Sequence, residues 1–522
     1  MHWKDVGLFF CLGLMVAARG AGQEPKLEPQ QVPPHRSQAD ERTILRVTSR
    51  LVIVDVVVLD KAGRPVGDLD RSQFEITENG VPQPITAFDP PSAHSMPAGS
   101  ADHPIVHGTA DLEKIGNAPV DILVLDELNN SFSDAASARL QMLSFLGKQP
   151  EVLPVPTQLI AAGESRFQLL HDYTQSRDEL LKSVEKHFAS PPVQQLDSVG
   201  LLVETLGILS QIAESSKGTP GRKNVLWVGS GYPAVNTMLL PITSEDILQD
   251  AIRRVTDRML DARVTLSLID PKGIQEVDGG GENFATMDDM SAGIAPITGP
   301  FTGTLDFATF ANATGGQIIA NRNDVAAQIG HSADNSQIYY TLAYAPTTGK
   351  PGNDNPAAYR KIRIHVKDRS LKVIARDGYF SEEDAIDPPP TASQPLPAVM
   401  KFDLLSAAKT RLHYNGITVR AEKTTSGYTL SIARSQLKWV EQPADSKVAE
   451  MTLIIAFYND RDRLLQSHAI ELKQTMNPPP GARISPEVKL ALPLTTPSGT
   501  ERVRFVVRDA GSGVMGTADW EQ

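Results

Sequence analysis

An aspartate ends a predicted strand of this chain, and short polar residues follow it. Residues Val120 to Asp126 read Val-Asp-Ile-Leu-Val-Leu-Asp, and the next four residues are Glu127-Leu-Asn-Asn130. In an open α/β sheet, ligands bind outside the carboxyl ends of the strands. Carboxylate and amide oxygens are ligands that hard cations such as Mg²⁺ and Ca²⁺ prefer. Asp126 and Asn130 are therefore candidate ligands of a cation.

The composition limits the number of domains and the kinds of partner. A chain of 522 residues predicts three or four domains. Its 41% hydrophobic and 21% charged residues are typical of globular proteins. The formal net charge is -12 and no long Lys/Arg run occurs, whereas a nucleic-acid or anionic-membrane surface needs a basic patch. We therefore expect neither of these partners.

The first residues have the layout of a secretory signal. An apolar run from Val6 to Ala18 follows His2 and Lys4, and small residues from Gly20 to Gly22 follow the run. The run is too short to span a bilayer of about 30 Å, so the mature chain is expected to be exported and not inserted in a membrane. The alternative is that the run stays as a membrane anchor. The only cysteine, Cys11, lies inside it, which suits an oxidising periplasm, the cell surface or a secreted state.

The middle of the chain alternates strand and helix patterns, which indicates a parallel sheet with helices on both faces. Right-handed crossovers make this a doubly wound sheet of about six strands. The strands before and after this block are too few to be stable alone, so we expect them to pair with each other around an inserted α/β domain. The predicted division is a signal peptide at 1–22, a disordered leader at 23–46, a β-segment at 47–90, a linker at 91–118, an α/β domain at 119–336, a second β-segment at 337–381, a Pro-rich linker at 382–400 and an all-β, Ig-like sandwich at 401–522.

An ordered set of short motifs resembles a known family. The motifs are Val54-Asp-Val-Val-Val-Leu-Asp60 with Gly63 and Phe74, Val124-Leu-Asp-Glu-Leu-Asn-Asn130, Gly221-Arg-Lys-Asn-Val225, Thr314-Gly-Gly316, Tyr339-Tyr340 with Tyr344-Ala-Pro346, and Ala375-Arg-Asp-Gly-Tyr-Phe380. Over about Val47 to Phe380 the chain resembles the bacterial VWFA-related family, known mainly from acidobacteria. In that family an export signal and a β-segment precede a degenerate von Willebrand factor type A domain. The resemblance implies export and binding, and it implies no defined enzymatic activity.

The resemblance also assigns ligand positions of the metal-ion-dependent adhesion site, and several of them are altered. Asp126 matches the first aspartate, Leu128 stands at the first serine, and Asn130 replaces the second serine. Ser230 stands at the second aspartate, and Ser198 is the nearest counterpart of the threonine. Leu128 supplies no side-chain oxygen and Ser230 no charge, so Asp126 and Asn130 are expected to hold Mg²⁺ or Ca²⁺ at most weakly. The alternative is that Asp126 accepts hydrogen bonds from backbone N–H groups of its own loop.

Three other patterns could carry chemistry or binding. Gly229-Ser-Gly231 lacks the two glycines that a nucleophile elbow, Gly-x-Ser-x-Gly, requires. His171 is the histidine expected near that edge of the sheet, and no acid is set to orient it. The pattern Gly511-Ser-Gly-Val-Met-Gly516 opens no helix, so a turn is expected there instead of a dinucleotide site. The long loop Asp278 to Thr304 is predicted to be either a lid that contacts a partner or a floppy insertion.

These observations predict a non-enzymatic, exported protein of the adhesion type. Its α/β domain would present the loops at the strand ends to a protein partner, without a cofactor and without a required metal. Two alternatives stay open at this level. One is a cell-envelope hydrolase that uses Ser230, and the other is a purely structural envelope component.

Overall fold

A computed structural model of the chain describes residues 51–163, 166–188, 196–272, 299–301, 303–346, 359–380, 398–442, 446–477 and 483–522. The predicted signal peptide and leader lie outside these residues. So does most of the predicted lid, of which only residues 299–301, 303 and 304 are described.

The first described segment is built from four short strands. They are β1 (Val52–Leu59), β2 (Phe74–Glu78), β3 (Val81–Gln83) and β4 (Ile85–Asp89). β-Branched residues dominate β1, and most of its side chains are buried. Asn79 and Gly80 join β2 to β3 with φ values of 49° and 80°. Positive φ at both turn residues is what a two-residue hairpin loop needs, and Asn-Gly is a residue pair that adopts it readily.

The middle of the chain alternates strands and helices, as predicted. Its elements are β5 (Val120–Asp126), α1 (Phe132–Leu146), β6 (Val152–Gly163), β7 (Arg166–Ser176), α2 (Arg177–Lys186), α3 (Ser198–Ser215), β8 (Lys223–Val228), β9 (Val235–Asn236), α4 (Ile242–Asp261), β10 (Val264–Ile269), β11 (Thr304–Leu305), α5 (Phe307–Thr314), β12 (Ile318–Ile319) and α6 (Val325–Gln337). Six strands form one sheet in the order β12-β10-β8-β5-β6-β7. All neighbours in it are parallel except β6 and β7, which are antiparallel.

Helices cover both faces of the six-stranded sheet, because its central strands are apolar on both sides. Ile122 and Val124 of β5 pack in one cluster with residues of α3, α4 and α5. Leu123 and Leu125 of the same strand pack in another cluster with residues of α1, α2 and α6. Successive side chains of β5 thus point to opposite helical layers. None of the described helices is long and apolar enough to cross a membrane.

The strands after the α/β block return to the first segment. They are β13 (Tyr340–Tyr344), β14 (Tyr359–Val366), β15 (Lys372–Ala375) and β16 (Gly378–Phe380). Two four-stranded sheets result, ordered β15-β1-β13-β4 and β16-β14-β2-β3. Both sheets contribute to one core that includes Val54, Phe74, Tyr340 and Ile364. The predicted pairing of the two β-segments across the inserted α/β block is therefore confirmed.

The predicted linker at 91–118 is packed on the rest of the protein. Short 3-10 helices cover Pro91–His94 and Thr109–Ile115. His94 is buried and stacks on Tyr339, with ring centroids 4.3 Å apart. The apolar side chains of Val106, Leu112 and Ile115 join the core of the α/β block, which the polar composition of this segment concealed.

The C-terminal part contains a helix and two antiparallel sheets. Its elements are α7 (Ala398–Lys409), β17 (Val419–Thr424), β18 (Gly427–Ala433), β19 (Val440–Gln442), β20 (Ser446–Tyr458), β21 (Leu464–Met476), β22 (Glu487–Leu492), β23 (Arg502–Asp509) and β24 (Met515–Glu521). β17, β18 and β22 form one sheet, and the other strands form the second. Both sheets share a single core.

Helix α7 is a departure from the prediction of a linker up to residue 400 and an all-β domain beyond it. Leu404 and Ala407 of α7 enter the core of the α/β block. Arg258 of α4 holds Asp403 with Nη2 2.7 Å from Oδ2 and Nη1 3.0 Å from Oδ1. The α7 helix therefore fastens the C-terminal sheets to the α/β block.

Candidate functional site at the carboxyl edge of the parallel sheet

Two neighbouring parallel strands bring the candidate residues together. β5 pairs with β8, so the loops after Asp126 and after Val228 leave the sheet side by side. Gly229 makes this approach possible, because a Cβ at this position would lie 2.2 Å from the Cβ of Asp126.

Asp126 is buried and accepts hydrogen bonds on both carboxylate oxygens. Its Oδ1 accepts from the backbone N–H groups of Leu128 at 3.1 Å and Asn129 at 2.9 Å. Its Oδ2 accepts from Nε1 of Trp227 at 2.8 Å and from the backbone N–H of Gly231 at 3.2 Å. The side-chain amide of Asn129 lies 3.2 Å from both oxygens. Burial raises the pKa of the Asp126 carboxyl, and these donors oppose that shift.

Asn130 and Ser230 connect the two loops. Nδ2 of Asn130 donates to the backbone carbonyl of Asp126 at 2.7 Å, and its Oδ1 accepts from the backbone N–H of Ser230 at 2.9 Å. The Ser230 hydroxyl is buried and has no hydrogen-bond partner among the described residues. Leu128 is 3% exposed and packs in the core. Asp126, Asn130 and Ser230 therefore meet through hydrogen bonds, whereas Leu128 is a core residue.

This arrangement bears on the predicted cation site. A cation bound by Asp126 would have to displace N–H donors that already satisfy both carboxylate oxygens. Both ends of the Asn130 amide are also engaged. In the described part of the chain, no group of three or more His, Cys, Asp or Glu side chains is arranged to hold a metal. The geometry supports the alternative role of Asp126 as an acceptor for its own loop, and cation binding stays a hypothesis.

The threonine-like position is not filled by Ser198. Ser198 is the first residue of α3, whereas the α3 hydroxyl beside the loop belongs to Thr205, 3.3 Å from Nδ2 of Asn129. No sequence signal pointed to Thr205 or to the indole N–H of Trp227, because both lie inside apolar runs that predict core residues.

A histidine and a glutamate meet on the other face of the sheet. Glu127 follows Asp126, and its Oε1 contacts Nε2 of His187, the residue directly after α2. His171 was predicted to lie at this edge, but it lies in the middle of β7, opposite Leu159. Its Nε2 is 3.7 Å from Oε2 of Glu179. Since Glu127 points to the α2 side and Asp126 to the α3 side, His187 is not positioned to activate Ser230.

Several large apolar side chains are exposed around the same edge. Phe132 begins α1 directly after the Asp126 loop and is 61% exposed, and Phe188 follows α2 and is 83% exposed. Met238 and Leu239, between β8 and α4, are 77% and 80% exposed, and Ile247 near the start of α4 is 65% exposed. Single exposed apolar residues are ordinary, whereas contiguous exposed apolar patches are characteristic of interaction sites.

The Gly221-Arg-Lys-Asn-Val225 motif has a structural role at the opposite edge. Arg222 donates from Nε to the Thr265 hydroxyl at 3.1 Å, and buried Lys223 donates from Nζ to the carbonyl of Gly221 at 2.8 Å. Nδ2 of Asn224 donates to Oδ1 of Asp121 at 3.0 Å. The motif thus ties β8 to its neighbours and does not contribute to the carboxyl-edge loops. The turn predicted at Gly511-Ser-Gly-Val-Met-Gly516 is confirmed, since residues 510–514 join β23 to β24 and β24 begins at Met515.

Asp121 gives a pH-dependent prediction. Burial raises the pKa of its carboxyl from 3.8 to about 7. Between these two values the unfolded chain releases the proton while the folded chain keeps it, so this residue lowers the free energy of unfolding as the pH rises from about 4 to 7. Three pKa units correspond to at most about 4 kcal/mol. We expect Asp121→Asn to stabilise the protein by about 1–3 kcal/mol at pH 8 and by little at pH 4.

Urea unfolding of both proteins at the two pH values measures this effect. The new side-chain amide retains an oxygen at the position of Oδ1, which accepts from the Asn224 amide at 3.0 Å and from the Ser336 hydroxyl at 3.5 Å. Asp102 is exposed, so Asp102→Asn is the matched control and should leave the free energy of unfolding unchanged at both pH values. An equal effect of Asp121→Asn at pH 4 and pH 8 would contradict the raised pKa of the Asp121 carboxyl.

Comparisons with known proteins add no family to this picture. No protein-family model matches the chain, and a search of curated proteins finds no matching relative.

Proposed function

We propose that this chain is an exported, non-enzymatic interaction protein that binds a protein partner through the carboxyl edge of its six-stranded sheet. The α/β block would be a degenerate type A domain, as the ordered motifs suggest, and its binding would not require a metal. The observation that carries the proposal is the group of exposed apolar side chains at this edge, Phe132, Phe188, Met238, Leu239 and Ile247.

The geometry of the two loops supports a rigid platform. Asp126 and Asn130 cross-link the β5 and β8 loops through side-chain hydrogen bonds. A preorganised surface loses little conformational entropy on binding, so its apolar side chains contribute more of their transfer free energy to affinity. Large apolar side chains exposed on such a platform are typical anchors of protein interfaces.

The hydrolase alternative has less support. The Ser230 hydroxyl has no hydrogen-bond partner among the described residues, so no base is placed to take its proton. A purely structural envelope role predicts no saturable partner.

The test is capture from envelope extracts of the source cell with the immobilised chain. We expect a saturable protein partner whose retention falls at least tenfold with the double variant Met238→Ser/Leu239→Ser, because both anchors lose their apolar surface. Val440→Ser, an exposed apolar residue of β19, is the matched control and should retain the partner fully. Equal retention by all three proteins, or the lack of any saturable partner, would contradict the proposal.

A further inference from the structure

Strand β21 is a long edge strand in the C-terminal part of the protein. It has 13 residues, and each of the twelve Cα pairings it makes is with β20. In the described part of the chain, no strand lies along its other side. Every side chain of β21 is exposed or partly exposed, and Leu464 and Leu465 are 53% and 43% exposed. The strand therefore presents a row of backbone N–H and C=O groups that can pair with another strand.

The usual protections of an edge strand are weak in β21. Natural edge strands are commonly short, bulged, or interrupted by proline or several charges. β21 contains no proline, and Glu471 and Lys473 are its only Asp, Glu, Lys or Arg residues. Its pairing register with β20 shifts only at Tyr458, opposite the first residue, Leu464. Regular strand geometry thus continues from Gln466 to Met476.

The two charges make the strand complementary to itself. Glu471 and Lys473 flank Leu472 in the sequence. Because they are two residues apart in a strand, their side chains point to the same face of the sheet. In an antiparallel pair centred on Leu472, Glu471 lies opposite Lys473 of a second copy, and the reverse contact forms as well. Opposite charges that face each other across strands are stabilising, and like charges in these positions are destabilising.

We propose that two copies of this chain associate through β21, antiparallel about a two-fold axis at Leu472. Nine residues of each copy, from His468 to Met476, then pair, and one sheet continues across both molecules. This association does not depend on the proposed partner-binding surface, because β21 and that surface belong to different parts of the chain. A dimer would display two copies of that surface, which raises the avidity for a multivalent partner.

Charge reversal tests the association, measured by sedimentation equilibrium of the full chain. The wild-type chain is expected to be a dimer, and Glu471→Lys should weaken association about tenfold because two attractive contacts become repulsive. Adding Lys473→Glu should restore wild-type association. Lys473 also lies 3.1 Å from Glu450 on β20, so the melting temperature of each variant is measured alongside. A wild-type monomer at all concentrations, or a dimer insensitive to Glu471→Lys, would overturn the proposal.

Cross-linking tests the register in a Cys11→Ser background. Directly opposite residues have Cα atoms about 4.5–5.5 Å apart, within the range of a disulfide. We expect oxidation to cross-link a mixture of the Glu471→Cys and Lys473→Cys chains. Neither chain alone should cross-link, because identical positions are then two residues out of register, about 8 Å apart. Equal cross-linking of the single variants alone would rule out this register.

Discussion

Replacing Asp126 by alanine is expected to lower the free energy of unfolding by about 3–5 kcal/mol. The carboxylate is 1% exposed and accepts from three backbone N–H groups and the indole of Trp227. Alanine leaves these donors without an acceptor inside the protein, and each buried unsatisfied donor costs about 1–3 kcal/mol before the loops relax. Urea or thermal unfolding measures the loss.

Asp270→Ala is the matched control, because Asp270 also directly follows a parallel strand, β10. Its carboxylate is only partly buried and accepts from the backbone N–H of Lys272 at 2.9 Å, so we expect a loss of less than about 1 kcal/mol. A similar loss for both variants would contradict the special role of Asp126.

The same pair of proteins tests the cation hypothesis. A cation that binds only the folded chain through Asp126 raises the stability of the wild type and not that of the alanine variant. Because both oxygens already accept hydrogen bonds, we expect millimolar Mg²⁺ or Ca²⁺ to leave both melting temperatures unchanged. A wild-type increase that Asp126→Ala abolishes would restore the metal site and refute the hydrogen-bonding interpretation.

The second large effect is expected from Arg504→Met, which should lower the free energy of unfolding by about 3–5 kcal/mol. Arg504 of β23 is fully buried, donates from Nε to the carbonyl of Ala407 at 2.7 Å and from Nη2 to the carbonyl of Leu412, and pairs with Asp519. Ala407 lies in the last turn of α7, where carbonyls have no partner within the helix. Methionine conserves the packed stem and removes all the donors.

Arg504 thus fastens α7 to the C-terminal sheet. The effect of its loss can therefore be measured at α7 itself as well as in the free energy of unfolding of the whole protein. Limited proteolysis should cleave the Arg504→Met protein near α7 at protease concentrations that leave the wild type intact. Arg420→Met is the control, because its ion pair with Glu487 is exposed and worth less than about 1 kcal/mol. Equal unfolding free energies for Arg504→Met and the wild type would contradict this role.

Much of the fold was predictable because its signals are local. The alternation of strand and helix patterns along the middle of the chain predicted the six-stranded sheet. The pairing of the two β-segments followed from a count, since neither has enough strands alone. Helix α7 was missed because its partners, including Arg258 and Arg504, are remote in sequence.

The candidate site was likewise predictable only where its signals are local in the sequence. Asp126 and Asn130 were identified because a polar residue after a buried strand is conspicuous in the sequence. His171 was wrongly placed at the edge because the antiparallel course of β7 through Ser176 was not foreseen. His187 was overlooked, although it contacts Glu127, because only the packing of α2 brings it to the loop.

The sequence by itself determined that an acceptor would sit at the carboxyl edge of a buried strand, since apolar alternation and the following turn residues are local properties. Only the tertiary structure decided what this acceptor binds. Trp227 and Gly231 reach Asp126 from 101 and 105 residues away, and they do so because β8 lies beside β5. A buried carboxylate needs donors, and which donors satisfy it depends on the strand order of the folded sheet.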